Sequence, residues 1–210
     1  MSDTFIREVD EDLRQKQLSS LWKKYGKIVI GIAVGLVLVV AGRSLYIYSV
    51  ESKYNEQATA YSQALKLNNS EISKALDPVM ASDVDGYQII AAFKKVELAL
   101  AAEDKLGAIA ILDQFIATSS VDQIYKDIAN IQAVIIEIDT APVDNIRARL
   151  SLILDGGSTF QYLAAELLGL SELKNGEIEA AKTRLQTLIE NVDAPVTIKS
   201  RAEQYLSVVE

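Results

Sequence analysis

The sequence predicts an all-α protein: one apolar helix near the N-terminus, followed by a stack of helical hairpins. Three observations predict it. Residues 28–48, IVIGIAVGLVLVVAGRSLYIY, form an apolar run with lysines at positions 23, 24 and 27 immediately before it. Downstream, helix-start patterns recur at intervals of 35, 38 and 35 residues. Only three prolines and ten glycines occur among 210 residues, and alanine and leucine are plentiful, a composition that favours continuous helices over strands.

Residues 1–27 form a charged leader. Phe5, Val9, Leu13 and Leu18 fall at near-helical spacing opposite Arg7, Asp10, Glu11 and Arg14. The leader is expected to be solvated and partly disordered, with a short amphipathic helix as the alternative. Residues 28–48 follow as a transmembrane helix, since at 1.5 Å rise per residue they reach about 31 Å, the thickness of a bilayer's hydrocarbon core. Basic residues beside a span are retained in the cytoplasm. Lys23, Lys24 and Lys27 outweigh Arg43 and Lys53 at the far end, so the N-terminus is predicted cytoplasmic and the C-terminal bulk exported. Trp22 and Tyr25 form the inner aromatic belt, Tyr46 and Tyr48 the outer one, and Arg43 snorkels to the outer headgroups. Gly31, Gly35 and Gly42 include one Gly-x-x-x-Gly pair, which permits close approach of another helix but is common by chance. A cleaved signal peptide is the competing reading. Against it, the leader far exceeds an ordinary n-region, and cleavage after Gly42 would leave Arg43 at the new terminus.

Residues 49–67 carry Val50, Tyr54, Ala58, Tyr61 and Leu65 at intervals of three or four, which predicts a stalk helix that continues the span and packs on the first hairpin. Residues 68–85, with NNS, a proline and scattered acids, read as a loop-like linker with a short helix near 71–76 as an option. The roughly 160 residues beyond the span fit one domain.

The hairpins occupy residues 86–210. Asp85, Ser120 and Ser158 are each followed three residues later by Gln88, Gln123 and Gln161, the capping-box arrangement, and Asp193 stands close before Pro195. Laying residues 86–116 over 159–189, an offset of 73, aligns GYQIIAA with TFQYLAA and ILDQFI with RLQTLI. The predicted first helices are 88–102 and 161–174, the turns 103–106 and 175–176, and the second helices 107–117 and 177–191. Apolar residues of the second helices (Ile109, Leu112, Phe115, Ile116; Ile178, Ala181, Leu185, Leu188) recur on one face that must pack on a neighbour. The repeat at 122–157 departs most, with Ala141 and Pro142 at its turn and Ile146 where alanine is expected.

Composition excludes whole classes of chemistry. With no histidine and no cysteine the chain has no thiol nucleophile, imidazole base, His or Cys zinc site, or disulfide. Serine–lysine or carboxylate-only hydrolysis would need a shaped pocket that nothing in the sequence announces. The chain is therefore read as a non-enzyme with no catalytic residues, cofactor or metal. Its net charge is −8, and residues 28–210, with 15 basic and 24 acidic side chains, carry −9. Nucleic acid and anionic headgroups are poor partners for such a surface.

The last hairpin resembles a tetratricopeptide repeat. Leu168 and Gly169 match the Leu-Gly pair of its first helix, Gly176 the turn glycine, Ala181 the small residue of the second helix and Leu185 the bulky residue that follows. Small residues suit positions 169 and 181, where the two helices approach most closely. In the first hairpin Ala108 and Leu112 keep the pattern, whereas Val96 replaces the glycine.

The leader FIREVDEDLRQKQLSSLWKKYGK, the span directly after it, the arginine at its outer end and FQYLAAELLGLSELKNGEIEAAKTRLQTLI together resemble the YfgM-like family, in particular its alphaproteobacterial branch. Those are single-pass bacterial inner-membrane proteins with a tetratricopeptide-like periplasmic domain, ancillary to the SecYEG translocon. The resemblance carries over no catalytic residues. It implies protein partners: translocon subunits, a membrane-anchored periplasmic chaperone and exported clients. In such arrays the first helices line a concave groove, and the matching positions are Ile90, Phe93 and Glu97, then Leu163, Glu166 and Leu170. The competing expectations are that residues 54–67 cover this face or that the array self-associates into a homo-oligomer. An envelope structural or regulatory protein acting through its leader is the alternative function.

Overall fold

The structure is a computed structural model that describes the backbone of residues 2–208 and the side chains within it, residues 2–15, 17, 29, 69 and 70 excepted. Ten α-helices follow one another: α1 (Ser2–Ala64), α2 (Asn69–Ala75), α3 (Asp77–Met80), α4 (Asp85–Ala101), α5 (Lys105–Thr118), α6 (Gln123–Glu137), α7 (Val143–Asp155), α8 (Gln161–Lys174), α9 (Ile178–Glu190) and α10 (Val196–Leu206). Among the described residues there is no strand. The chain divides into two compact units, Met1–Asn55 and Glu56–Glu210.

The first unit is helical throughout its described backbone. The leader, expected to be partly disordered, is helical from Ser2 and continuous with the apolar run. It is rich in strong helix formers and has no glycine before Gly26, and a helix already formed at one end extends without a new nucleus. The side chains of Phe5, Val9 and Leu13 lie outside the described residues; Leu18 is exposed. Among the described residues α1 is the one helix long and apolar enough to cross a membrane, and none of the side chains in its apolar window is buried. An apolar surface that large finds no partner in its own unit, which makes α1 a candidate membrane span.

The second unit is the repeat array. Hairpins α4/α5, α6/α7 and α8/α9 stack in order, and α10 closes the end. Three apolar cores run through it, and each is shared across a hairpin boundary. The first joins the end of α1, α2 and α3 to α4, α5 and two alanines of α6. The second joins Ile131, Val134 and Ile138 of α6 to α7 and α8, and the third joins α9 to α10 with support from α8. No hairpin buries its apolar face alone, which is how a solenoid makes neighbouring repeats interdependent.

Within residues 68–85 the optional short helix near 71–76 is present as α2, and α3 follows it; they bury Ile72, Leu76, Val79 and Met80 in the first core, and Val84 before α4 is also buried. The stalk face also differs from the prediction. Ala60, Tyr61 and Ala64 pack on the core, with the Tyr61 and Tyr87 rings 6.2 Å apart, whereas Tyr54 and Leu65 stay exposed.

The turns of the first and third hairpins correspond in register and in hydrogen bonding, though only the leucine at their start is shared. After α4 the N–H of Asp104 donates to the carbonyl of Ala99 (2.9 Å) and that of Glu103 to Leu100 (3.0 Å). After α8, 73 residues on, Glu177 donates to Glu172 (2.9 Å) and Gly176 to Leu173 (3.1 Å). Both are Schellman turns, which place one residue in the left-handed region. Gly176 takes it at φ 81° and Glu103 at φ 60°.

The predicted capping boxes do not form. Val84, Asp122 and Phe160 occupy the N-cap positions of α4, α6 and α8, and none supplies a side-chain cap. The serines of the motif serve tertiary contacts: Ser120 Oγ meets Asp85 Oδ1 at 3.4 Å and Ser158 Oγ donates to Asp127 at 2.6 Å, while Gln123 donates to Asp127 within α6 at 2.9 Å. Helix α5 does have a side-chain cap: Asp104 accepts from the N–H of Gly107 at 2.8 Å.

Candidate functional site

Close packing inside each hairpin sets the surface that it presents. A Cβ added at Gly169 would stand 2.9 Å from Leu185 Cδ2, and Leu168, Ala181 and Leu185 are buried around it. Val96 and Leu112 hold the corresponding places in the first hairpin and are also buried. In the middle hairpin Ile146 replaces the small residue, and α6 and α7 touch less extensively than the helices of the other two hairpins. Ile146 is itself fully buried, packed in the second core with residues of α6 and α8.

One cavity of about 450 Å³ lies among Ile116, Asn130, Glu137, Asn145, Arg149 and Leu152. A second, of about 410 Å³, lies beside Asp127, Ile124, Ser158 and again Leu152. A further groove of about 540 Å³ runs between α8 and α9, past Tyr162, Ala165, Thr183, Arg184 and Leu188.

The six groove positions read from the sequence divide. Ile90 is 40% exposed and available to a partner. Glu97 is exposed on the same helix and pairs with Lys94 at 2.7 Å. Phe93 packs into the first core, its ring 6.0 Å from that of Phe115. Leu163 and Leu170 are half-buried, Leu163 between the second and third cores and Leu170 on the second. Glu166 is not an open acidic spot: it is 3% exposed and accepts both Arg201 nitrogens, at 2.5 and 2.6 Å. The expected anchor residues Trp22, Lys23, Lys24, Lys27, Arg43, Tyr46 and Tyr48 are all exposed on α1, with the Lys24 ammonium 5.2 Å from the Tyr25 ring centre.

Charge pairs tie the repeats together at one repeat length. Asp113 meets Arg149 at 2.5 Å across 36 residues, and Glu166 meets Arg201 across 35. Asp139 meets Lys174 across 35, which holds the Asp139 carboxyl below its ordinary range. The Arg201 guanidinium is held above its ordinary range by its bonds to Glu166, against the opposing effect of burial. Glu172, fully buried, is gripped by Arg184 through two bonds of 2.9 Å, with Arg147 at 3.5 Å. Among the described residues no group of three His, Cys, Asp or Glu side chains could hold a metal ion.

The sequence pattern of the tetratricopeptide repeat-like domain matches residues 19–203, and the chain belongs to that family. The match includes the apolar stretch as well as the hairpins. Domains of this kind serve in general as protein–protein binding scaffolds rather than catalysts. No curated protein and no solved structure matches the chain.

Proposed function

We propose that this protein is a single-pass bacterial inner-membrane scaffold whose leader is cytoplasmic and whose repeat array works in the periplasm, assisting the Sec translocon and a periplasmic chaperone with exported chains. The observation that carries the reading is one covalent unit: an apolar helix with Lys23, Lys24 and Lys27 on one side, joined to a repeat domain of a protein-binding family. Basic residues beside a span favour the cytoplasm, and an anchored scaffold raises the local concentration of whatever it binds at the membrane.

The test is in-cell photo-crosslinking from a photoreactive residue at Ile90, which can be replaced without opening a core. Translocon subunits or exported chains among the products support the reading, and products confined to cytoplasmic proteins contradict it. The helical backbone of residues 2–27 favours a second reading, a regulatory protein acting through its leader. Deleting residues 2–20 separates the two, because a scaffold retains its crosslinks whereas a leader-dependent regulator loses its effect.

A further inference from the structure

Three acids of the repeat array are buried: Asp127, Glu166 and Glu172. Glu166 has Arg201 and Glu172 has Arg184, each through two hydrogen bonds. Asp127 has none. Its two oxygens accept from neutral groups, the Gln123 amide at 2.9 Å and the Ser158 hydroxyl at 2.6 Å, and no cation of the described residues pairs with it. A buried carboxylate is stabilised when a positive charge reaches it, and here the protein supplies only dipoles.

The same side chain lines the cavity of about 410 Å³. Gly156 and Gly157 leave part of its wall without side chains, and two apolar residues border it: Ile124, 45% exposed, and Leu152, 74% exposed. An anionic floor beneath an apolar rim complements a long side chain with an aliphatic stem and a cationic head. A hard metal ion would require several converging oxygens, and a single carboxylate does not provide them. The acidic character of the chain adds a field that favours an approaching cation.

We infer that the cavity beside Asp127 receives a lysine or arginine side chain of a partner polypeptide, with Asp127 as its counter-ion and Ile124 and Leu152 holding the stem and the flanking apolar residues. The inference rests on the scaffold reading and specifies the chemistry of what the scaffold takes: a basic residue set among apolar ones.

The full chain in non-ionic detergent is titrated into two fluorescein-labelled peptides, one with a single arginine flanked by leucines and one with citrulline, neutral and of the same shape, in its place. Fluorescence anisotropy should show the arginine peptide binding at least tenfold more tightly. Asp127→Asn, which keeps the size of the side chain, should reduce that preference to within twofold, and Leu152→Gln should weaken both peptides. Equal affinities for the unaltered protein, no binding of either peptide, or a preference that survives Asp127→Asn would overturn the inference. The two-peptide comparison on the unaltered chain decides even if Asp127→Asn fails to fold. If the peptides fail while crosslinks from Ile90 to exported chains persist, this site alone is lost and the scaffold stands; if both fail, the two fall together.

Discussion

At the residue scale, Glu103 and Gly176 are one position of one turn occupied by two residues of opposite suitability. A side chain in the left-handed region costs about 1 kcal/mol that glycine avoids. Glu103→Gly should therefore raise the unfolding free energy by roughly 0.5–1 kcal/mol in a denaturant titration. The glycine at 176 was legible because it fits a repeat motif, whereas Glu103 in the same conformation emerges only once the 73-residue offset is combined with the backbone angles. Glu166 gives the complementary case. Arg201→Met would leave its carboxylate buried without a partner, and since Arg201 is itself about half exposed, the loss should be about 1–3 kcal/mol rather than that of a wholly buried pair. A double variant with Glu166→Gln should recover part of it. The sequence showed Glu166 on the predicted groove face but not the arginine 35 residues away that takes its charge.

At the element scale, helix existence was well marked by apolar spacing, and the predicted 161–174 coincides with α8. The means of starting helices was not. Asp85, Ser120 and Ser158 sit within three residues of the helix starts, yet their side chains turn to neighbouring repeats, because tertiary partners compete for the same oxygens that would cap a helix. Residues 68–85 carry both signals: NNS and Pro78 mark the ends of short helices as readily as a loop, while Ile72, Leu76, Val79 and Met80 stand at intervals of four, three and one, the spacing of one helical face, which made a short helix legible as an option. Leu76 decides the matter. It is fully buried, so Leu76→Ala should destabilise the repeat unit by about 2–5 kcal/mol, whereas a linker leucine would cost almost nothing. Thermal unfolding followed by circular dichroism distinguishes the two.

At the scale of the whole molecule, one chain joins an apolar helix long enough to cross a membrane to a solenoid of a protein-binding family. Each core of the array spans a hairpin boundary and charge pairs repeat at the same period, so the array's stability accumulates from neighbour to neighbour. Ile146 stands where the other hairpins have alanine, and α6 and α7 touch less extensively than the helices of those hairpins. The binding class was legible from what the composition lacks and what the spacing repeats. The cavity beside Asp127 was not, since it depends on which buried acids find an arginine in three dimensions. The side of the membrane on which the array works is the claim that governs the rest. Fusing alkaline phosphatase, active only after export, and β-galactosidase, active only in the cytoplasm, in parallel to the C-terminus measures it directly. The account predicts an active phosphatase and a silent galactosidase, and the reverse pattern would contradict it.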